Sequence, residues 1–351
     1  MSKSQIEVIY LIGAGFSKPA GVPLMCEFVN KFEDILKRKD KNLFQYFVVL
    51  KEAMATAEGC KLNEYKVDLE KLMDILQRLA QGDSAEMAAW AERDSFSAFD
   101  RKIRIEVLGE LERLIRRDCI IDPGSANLKY LEPLSDLMWG DKPLTLFSLN
   151  YDDVIEVFCH QYKYNLEDGF ALYWEPERFN KPGTHIQLFK LHGSVLWYKT
   201  DQGSFYKILL DIPEGDYRLV SGEKLKSLIA YPVAGKPIHV APLAFGMSEF
   251  RRSLESADQC VVIGYSLRDE HIQDILIESC RRNPRLRIIV ACPNPFNILT
   301  GTIRNQVLER AIIPAAFTEV MGTRKSSQSV FAKITCPFST VSVILLLPSI
   351  I

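Results

Sequence analysis

A short apolar run near the start of the chain leads directly into a glycine-rich turn. Residues 6–12 (IEVIYLI) are almost all apolar and rich in β-branched side chains, and Gly13-Ala14-Gly15 follows at once. This pattern predicts a buried strand that ends in a tight turn. Later runs of the same character predict four further buried strands, at residues 144–149, 186–191, 260–263 and 286–291.

Helical periodicity fills most of the chain between the first two predicted strands. Apolar side chains recur there at the spacing of one helix face, as at Leu69, Leu72, Met73, Leu76 and Leu79. Glycine and proline are nearly absent from residues 43–118, so this stretch predicts three or four helices. We therefore expect an all-helical insertion over about residues 40–140.

Elsewhere the predicted strands alternate with helical segments, clearest at residues 151–162 and 269–282. Strands that are apolar on both faces suit a parallel sheet covered by helices. The predicted fold class is α/β, with a Rossmann-like parallel sheet flanked by helices. We expect one domain over residues 1–322, including the insertion, followed by an apolar tail at 323–351. The tail fits a buried strand, an oligomer contact or the truncated continuation of a longer protein.

Composition narrows the classes of function. The 351 residues are 47% hydrophobic and 25% charged, which is typical of a soluble globular protein. A formal net charge of −2, without a basic stripe, gives no reason to expect direct nucleic-acid binding. The apolar tail is broken by Pro337 and Pro348 and is too short to span a membrane, so no membrane association is expected. The first apolar run is shorter than that of a secretory signal, and we expect a cytoplasmic protein.

Metal chemistry finds little support in the sequence. The eight cysteines are scattered and form no CxxC pair, so we expect no structural zinc site. No HExxH motif is present, and most of the histidines are expected to be structural, on helices or in loops: His160, His185, His239 and His271.

The first predicted strand is followed by Gly13, Ala14, Gly15, Phe16 and Ser17. Glycines in such a turn let the backbone approach a pyrophosphate, and the next helix presents its first amides to the anion. The dinucleotide fingerprint GxGxxG is not met, because Lys18 stands in place of its third glycine. The segment therefore predicts either a nucleotide site or simply a tight connection.

Polar side chains follow the other predicted strands at the point where each ends. Asn150 and Asp152 follow the second strand, and His192 follows the third. The carboxyl ends of parallel strands are where open α/β sheets bind ligands, so these residues are candidates for catalysis or binding, with His192 as a general base. The competing interpretations are a helix cap at Asp152 or Asp153 and a structural histidine.

The last two predicted strands end in the same way. Gly264 and Ser266 follow one of them and can hold phosphate or ribose, while Ser266 or Asp269 can cap the next helix. Asn294 follows the other. Because all these turns follow strands of one predicted sheet, together they predict a common pocket.

Taken in order, the segments GAGFS (13–17), GVP (21–23), SLNYD (148–152), LHGS (191–194) and GYS (264–266) resemble the sirtuin family. The closer resemblance is to bacterial sirtuin-like domains that hydrolyse NAD in anti-phage defence and carry a helical insertion after the first βα unit. It covers about residues 1–320 and implies the sirtuin-like (DHS-like) NAD-binding fold.

The resemblance also implies roles for the candidate residues. Asn150 would contact the nicotinamide ribose and position water, and His192 would act as the base on the ribose hydroxyls. Asp152 would contact the carboxamide. The remaining cofactor-binding positions are shared between the pyrophosphate (Gly13, Ala14, Gly15, Phe16 and Ser17) and the adenosine half (Gly264, Ser266 and Asn294).

Two departures from deacylating sirtuins direct the functional expectation. Those enzymes carry paired CxxC zinc ligands after the catalytic histidine and Asp-Phe-Arg after the GxP turn, whereas this chain has no CxxC and reads Leu24-Met25-Cys26. The resemblance thus favours an NAD glycohydrolase that releases nicotinamide and ADP-ribose, without zinc. A protein deacylase or ADP-ribosyltransferase, and a non-catalytic NAD or ADP-ribose sensor, are the alternatives. Because such an enzyme must be silent until triggered, we expect a homo-oligomer or control by a partner protein of the same defence system, such as an ATPase.

Overall fold

A computed structural model describes residues 6–81, 100–138, 142–209, 219, 221–229 and 240–291, together with the backbone of 312–315. These residues divide into two compact units. One unit takes in the chain up to Val22 and from Ile121 onward, and the other is Pro23–Ile120. Residues 323–351, the predicted apolar tail, lie outside the described residues. Within the described ranges, no helix has both the length and the apolar character needed to cross a membrane.

The first unit contains two sheets. Its strands are β1 (Val8–Ile12), β2 (Leu144–Ser148), β3 (Leu166–Glu167), β4 (Ile186–Lys190), β5 (Gly193–Thr200), β6 (Phe205–Lys207), β7 (Leu225–Ile229), β8 (Gln259–Ile263), β9 (Arg287–Ala291) and β10 (Ile312–Ala315).

The larger sheet has the strand order β10-β9-β8-β1-β2-β4-β3, and every neighbouring pair is parallel. β1 lies between β8 and β2, with Tyr10 opposite Val261 on one side and Leu146 on the other. The five strands predicted from apolar runs are all present and occupy neighbouring positions, β9-β8-β1-β2-β4. The predicted fold class is therefore confirmed.

Helices occur in both units. They are α1 (Ala14–Ser17), α2 (Met25–Lys39), α3 (Lys41–Ala57), α4 (Leu69–Gln81), α5 (Arg101–Cys119), α6 (Val154–Tyr162), α7 (Ala241–Ser256) and α8 (Glu270–Arg282). Short 3-10 helices occupy Lys18–Ala20, Lys129–Leu137 and Pro176–Asn180. The core of the first unit forms where α7 and α8 pack their apolar faces against the sheet, with Phe250 and Ile272 fully buried.

The second unit, Pro23–Ile120, contains α2 to α5. Aspartate side chains cap the starts of α3, α4 and α5. At α3, Asp40 accepts hydrogen bonds from the N–H groups of Asn42 (2.7 Å) and Leu43 (3.1 Å). Phe32 and Phe47 meet edge to face in its core, with ring centroids 5.3 Å apart. The helices expected within residues 43–118 are present as α3, α4 and α5, and the unit starts and ends earlier than the predicted insertion at about 40–140.

A smaller sheet follows directly after His192. It is antiparallel, in the order β6-β5-β7, and packs Tyr198, Tyr206 and Leu225 together. This sheet was not predicted from the sequence, because each of its strands includes a lysine among its apolar positions.

Candidate active site

The strand order reverses at β1. From β1 the chain builds the sheet in one direction through β2 and β4, and later in the other direction through β8, β9 and β10. In open parallel sheets, ligands bind in the crevice beyond the carboxyl ends of the strands at such a switch point. The predicted site residues follow β1, β2, β4 and β8, so the topology brings them to one edge of the sheet.

The glycine turns after β1 and β8 touch each other. Gly13 donates its N–H to the carbonyl of Ile263 (2.9 Å), and Gly15 donates to that of Gly264 (2.8 Å). A Cβ on Gly13 would lie 2.6 Å from Cβ of Tyr265. One on Gly264, where φ is +65°, would lie 2.3 Å from the backbone nitrogen of Phe16. These glycines are therefore required by the contact between the two turns, whatever they contribute to a ligand.

Several backbone N–H groups of the first turn are already hydrogen-bonded within the protein. Besides the N–H groups of Gly13 and Gly15, that of Phe16 is bonded to the Gly13 carbonyl (2.8 Å). Gly15 is exposed and Ala14 is half-buried, so these two residues form the outer surface of the turn. An anion at this turn would contact Ala14 and Gly15 from outside, rather than the amides already engaged.

Asn150 is held above the first turn by its side-chain amide. Nδ2 donates to the carbonyl of Gly13 (3.0 Å) and to Oγ of Ser17 (2.9 Å). A carbonyl only accepts, so the atom facing Gly13 must be the amide nitrogen, and both of its hydrogens are used. The side chain is buried, and Oδ1 is the part of the amide left to bind another group.

Ser17 links Asn150 to Asp152. Its hydroxyl is buried and donates to the Asp152 carboxylate while accepting from Asn150. Asp152 Oδ1 also accepts from the N–H of Val154 (3.2 Å), the first residue of α6. Burial raises the pKa of Asp152 and outweighs the lowering by Lys190, Ser17 and the Val154 amide.

Lys190, the last residue of β4, is a functional candidate that the sequence analysis missed. Its ammonium is buried, donates to the backbone carbonyl of Asp152 and lies 3.2 Å from Oε1 of Glu156. Burial raises the pKa of Glu156 in spite of this cation. The available signal was a lysine at the end of an otherwise apolar strand.

Asp153 lies next to this group and is also buried. Its Oδ1 accepts from the N–H of Ile121 (2.9 Å). Burial raises its pKa to about 7, with a further increase from Glu156, while the Ile121 hydrogen bond and Lys190 lower it. Asp153 therefore anchors the chain where it re-enters the sheet unit, and it has no side-chain cap bond to α6.

His192 is brought to the same edge at the end of β4. It is 3% exposed, and its Nε2 lies 3.0 Å from Oδ2 of Asp269, which precedes α8. Asp269 was predicted as a possible helix cap, and its Oδ1 does cap α8 by accepting from His271 (2.9 Å) and Ile272 (3.3 Å). No pattern in the sequence indicates its contact with His192.

The other predicted positions lie around this centre. Phe16 is buried and meets Tyr130 edge to face, with ring centroids 6.0 Å apart. Ser266 is exposed beside Gly264. Asn294 lies outside the described residues, as does His239. Within the described part of the chain, no three His, Cys, Asp or Glu side chains are grouped so that they could hold a metal ion.

Fold and site together define a doubly wound α/β protein whose polar residues converge at the switch point of a parallel sheet. Residues 144–310 match the family model of the SIR2-like domain. The match begins at the first residue of β2 and includes Asn150, Asp152 and His192, which confirms the resemblance to sirtuins over this region. β1, its glycine turn and the helical unit precede the match.

Solved structures similar to this chain include three Sir2 proteins. A Sir2 homologue in complex with NAD is 16% identical, with a TM-score of 0.40, covering 87% of this chain and 86% of that one. A mutant homologue in complex with ADP-ribose is 14% identical, with a TM-score of 0.40 and coverage of 87% and 88%. A Sir2 bound to an acetylated peptide is 14% identical, with a TM-score of 0.39 and coverage of 87% and 90%. A search of curated proteins found no match.

Proposed function

We propose that this protein is an NAD glycohydrolase that cleaves the bond between nicotinamide and ribose. The observation that carries the proposal is the fixed position of Asn150. Both of its amide hydrogens are bonded to the turn after β1, at Gly13 and Ser17. Oδ1 therefore remains to accept a hydrogen bond from a ligand bound at this turn. A second buried polar group, His192, follows the adjacent strand β4. The site thus offers an acceptor for water and a base at neighbouring strand ends.

The reaction follows from these groups. His192 accepts the proton of a ribose hydroxyl, and nicotinamide leaves with the electron pair of the C1′–N bond. The C1′ centre gains oxocarbenium character, and a water that donates to Asn150 Oδ1 adds to it. One proton is released overall, and the products are nicotinamide and ADP-ribose. Asp152, which Ser17 links to Asn150, contacts the carboxamide of nicotinamide in this proposal.

The remaining predicted residues bind the rest of NAD in this proposal. Ala14 and Gly15 form the outer surface of the first turn, against which the pyrophosphate lies. Gly264 and Ser266 belong to the neighbouring turn and contact the adenosine half together with Asn294. Gly13 and Ser17 act indirectly, because their polar atoms hold Asn150.

Hydrolysis is favoured over protein deacylation by the region that follows His192. In the sirtuin resemblance this region would carry the CxxC zinc ligands of a peptide-binding module, and the sequence has no such pair. The described residues there form the small aromatic sheet β6-β5-β7 instead. Water can accept the ADP-ribosyl group without a peptide-binding surface, so hydrolysis is the reaction that this site favours.

The test is nicotinamide release from NAD by the purified protein, with and without an acetylated lysine peptide. We expect turnover that is independent of the peptide, and a loss of about 10²- to 10⁴-fold in kcat for Asn150→Ala and His192→Ala. His160→Ala, an exposed histidine on α6, is the matched control and should retain full activity. Turnover that requires the peptide, or full activity in both site variants, would contradict the proposal.

We also propose that this activity depletes NAD in anti-phage defence and is controlled by self-assembly or by a partner protein. The helical unit Pro23–Ile120 is the proposed assembly surface, and Ile105 on α5 is 49% exposed there. Turnover per protomer should rise with protein concentration, and Ile105→Glu should reduce that rise. Constant specific activity across a hundredfold dilution series, with one unchanged particle size, would refute control by self-assembly.

A further inference from the structure

A buried histidine and a buried aspartate face each other across the candidate site. His192 follows β4, whereas Asp269 precedes α8 and follows β8. Nε2 of His192 lies 3.0 Å from Oδ2 of Asp269, and the two side chains are 3% and 7% exposed. Because β4 and β8 are separated by β2 and β1 in the sheet, the pair bridges the mouth of the switch-point crevice.

The aspartate is held by one carboxylate oxygen and by its backbone. Oδ1 caps α8, a helix of 13 residues, by accepting from His271 and Ile272. The N–H of Asp269 donates to the Tyr265 hydroxyl (3.0 Å). Oδ2 is thereby directed at His192. Burial raises the pKa of Asp269, but the contact with His192 and the bonds from the two amides outweigh it and hold the pKa below its usual range. The group facing His192 is therefore a carboxylate.

A carboxylate accepts hydrogen bonds and cannot donate one. Nε2 and Oδ2 lie 3.0 Å apart without the alignment of a hydrogen bond, and neither atom has another hydrogen-bond partner among the described residues. A proton on Nε2 is the arrangement that this close contact with a carboxylate favours, so the hydrogen of the neutral ring is assigned to Nε2. In the neutral ring the other nitrogen, Nδ1, then has a free lone pair. When Nδ1 takes up a proton, the ring becomes an imidazolium whose charge the buried carboxylate stabilises at 3.0 Å.

We propose that Asp269 is the positioning residue of the reaction: it selects the His192 tautomer whose Nδ1 accepts the proton of a ribose hydroxyl. This inference rests on the proposed glycohydrolase activity. The proton moves from the hydroxyl oxygen to Nδ1, while the hydrogen on Nε2 stays on the ring nitrogen next to Asp269. Asp269 itself neither gains nor loses a proton and does not touch substrate.

Asp269→Asn tests this with little change in shape. The two helix amides require an acceptor, so the new Oδ1 keeps the cap and Nδ2 turns to His192. Nε2 must then accept, and the hydrogen moves to Nδ1, where it blocks the lone pair. The matched control is Asp40→Asn, since Asp40 caps α3 with the same two-amide geometry and has no histidine partner among its described contacts.

Two measurements separate the outcomes. Long-range ¹H–¹⁵N NMR of histidine-labelled protein, with His192 assigned from His192→Gln, reports the tautomer without activity. We expect hydrogen on Nε2 in the wild type and on Nδ1 in Asp269→Asn. In kinetics with NAD, kcat should fall by about 10²- to 10⁴-fold with KM within about threefold, while Tm changes no more than in Asp40→Asn.

A hydrogen on Nδ1 of His192 in the wild-type protein would overturn the assignment. This test needs no variant, so it holds even if Asp269→Asn does not fold. A switched tautomer with unchanged kcat would overturn the role in the reaction. If the tautomers are as expected but the wild type releases no nicotinamide in any assembly state, the proposed function fails while the orientation of His192 by Asp269 stands.

Discussion

The contact between the two glycine turns makes a quantitative prediction for Gly264→Ala. The new Cβ would lie 2.3 Å from the Phe16 nitrogen and 2.6 Å from the Gly15 carbonyl carbon. Both are backbone atoms and cannot rotate away, so the turns must separate. Overpacking of this kind costs about 1–3 kcal/mol. The left-handed φ of +65° adds about 1–2 kcal/mol for a residue with a Cβ. We expect a total loss of roughly 2–5 kcal/mol in the free energy of unfolding.

Gly183→Ala is the control, because it separates the two costs. Gly183 belongs to the same unit and has a φ of +78°, yet a Cβ there would meet nothing within 4 Å. It should lose only the backbone cost of about 1–2 kcal/mol. Urea denaturation of both variants, followed by tryptophan fluorescence, gives the difference. Equal losses in the two variants would refute the argument that Gly13, Gly15 and Gly264 exist to let the turns touch.

Separation of the turns should also reach Asn150, since its Nδ2 is bonded to the Gly13 carbonyl. We therefore expect Gly264→Ala to weaken NAD binding, measured by calorimetry at a temperature where the variant is folded. Gly183→Ala should bind NAD as the wild type does. Unaltered binding in Gly264→Ala would mean that the position of Asn150 does not depend on the contact.

Three further predictions concern buried groups. Lys190→Met removes the cation that lies 3.2 Å from Glu156 and should cost about 3–5 kcal/mol of stability. Part of that loss should return when Glu156→Gln is added, and urea denaturation of the single and double variants measures both changes. Burial raises the pKa of Asp153 from 3.8 to about 7, so between these values the native state holds a proton that the unfolded state has lost, and stability falls as pH rises. Asp153→Asn keeps the acceptor for Ile121 and should flatten that fall by up to about 1.4 kcal/mol per pH unit, seen in urea midpoints from pH 4 to 8. Phe47→Ala opens a cavity in the helical unit and should cost that unit about 3–5 kcal/mol, measured by hydrogen exchange on α2 to α5; unchanged protection there would contradict it.

The larger sheet could be predicted because buried parallel strands consist of short, continuous apolar runs in the sequence. All five runs singled out in the sequence became neighbouring strands. β3 has only two residues, and β5 to β7 each include a lysine among their apolar positions, so neither pattern differs clearly from a loop. A hydrophobic pattern predicts one helix or strand at a time. It does not identify strands whose side chains are of mixed polarity.

The candidate site could be predicted as a set of positions but not as a geometry. Asn150 and His192 were placed at strand ends, which is correct for both. That Asn150 bonds to Gly13, and that His192 meets Asp269, depends on β1 lying between β2 and β8. The order of the strands depends on the packing of the whole sheet, so it cannot be predicted from any local pattern in the sequence. The same holds for Lys190, whose partners come from the loop after β2 and from α6.

The central position of β1 has a consequence for the order in which the protein is made. β1 is synthesised first, but its partner β8 emerges only after more than two hundred further residues. Until then the turn at Gly13 lacks its hydrogen-bond partners Ile263 and Gly264, and His192 lacks its contact with Asp269. An unfinished or prematurely terminated chain therefore cannot assemble the site. The proposed activity therefore requires chains whose synthesis has passed α8.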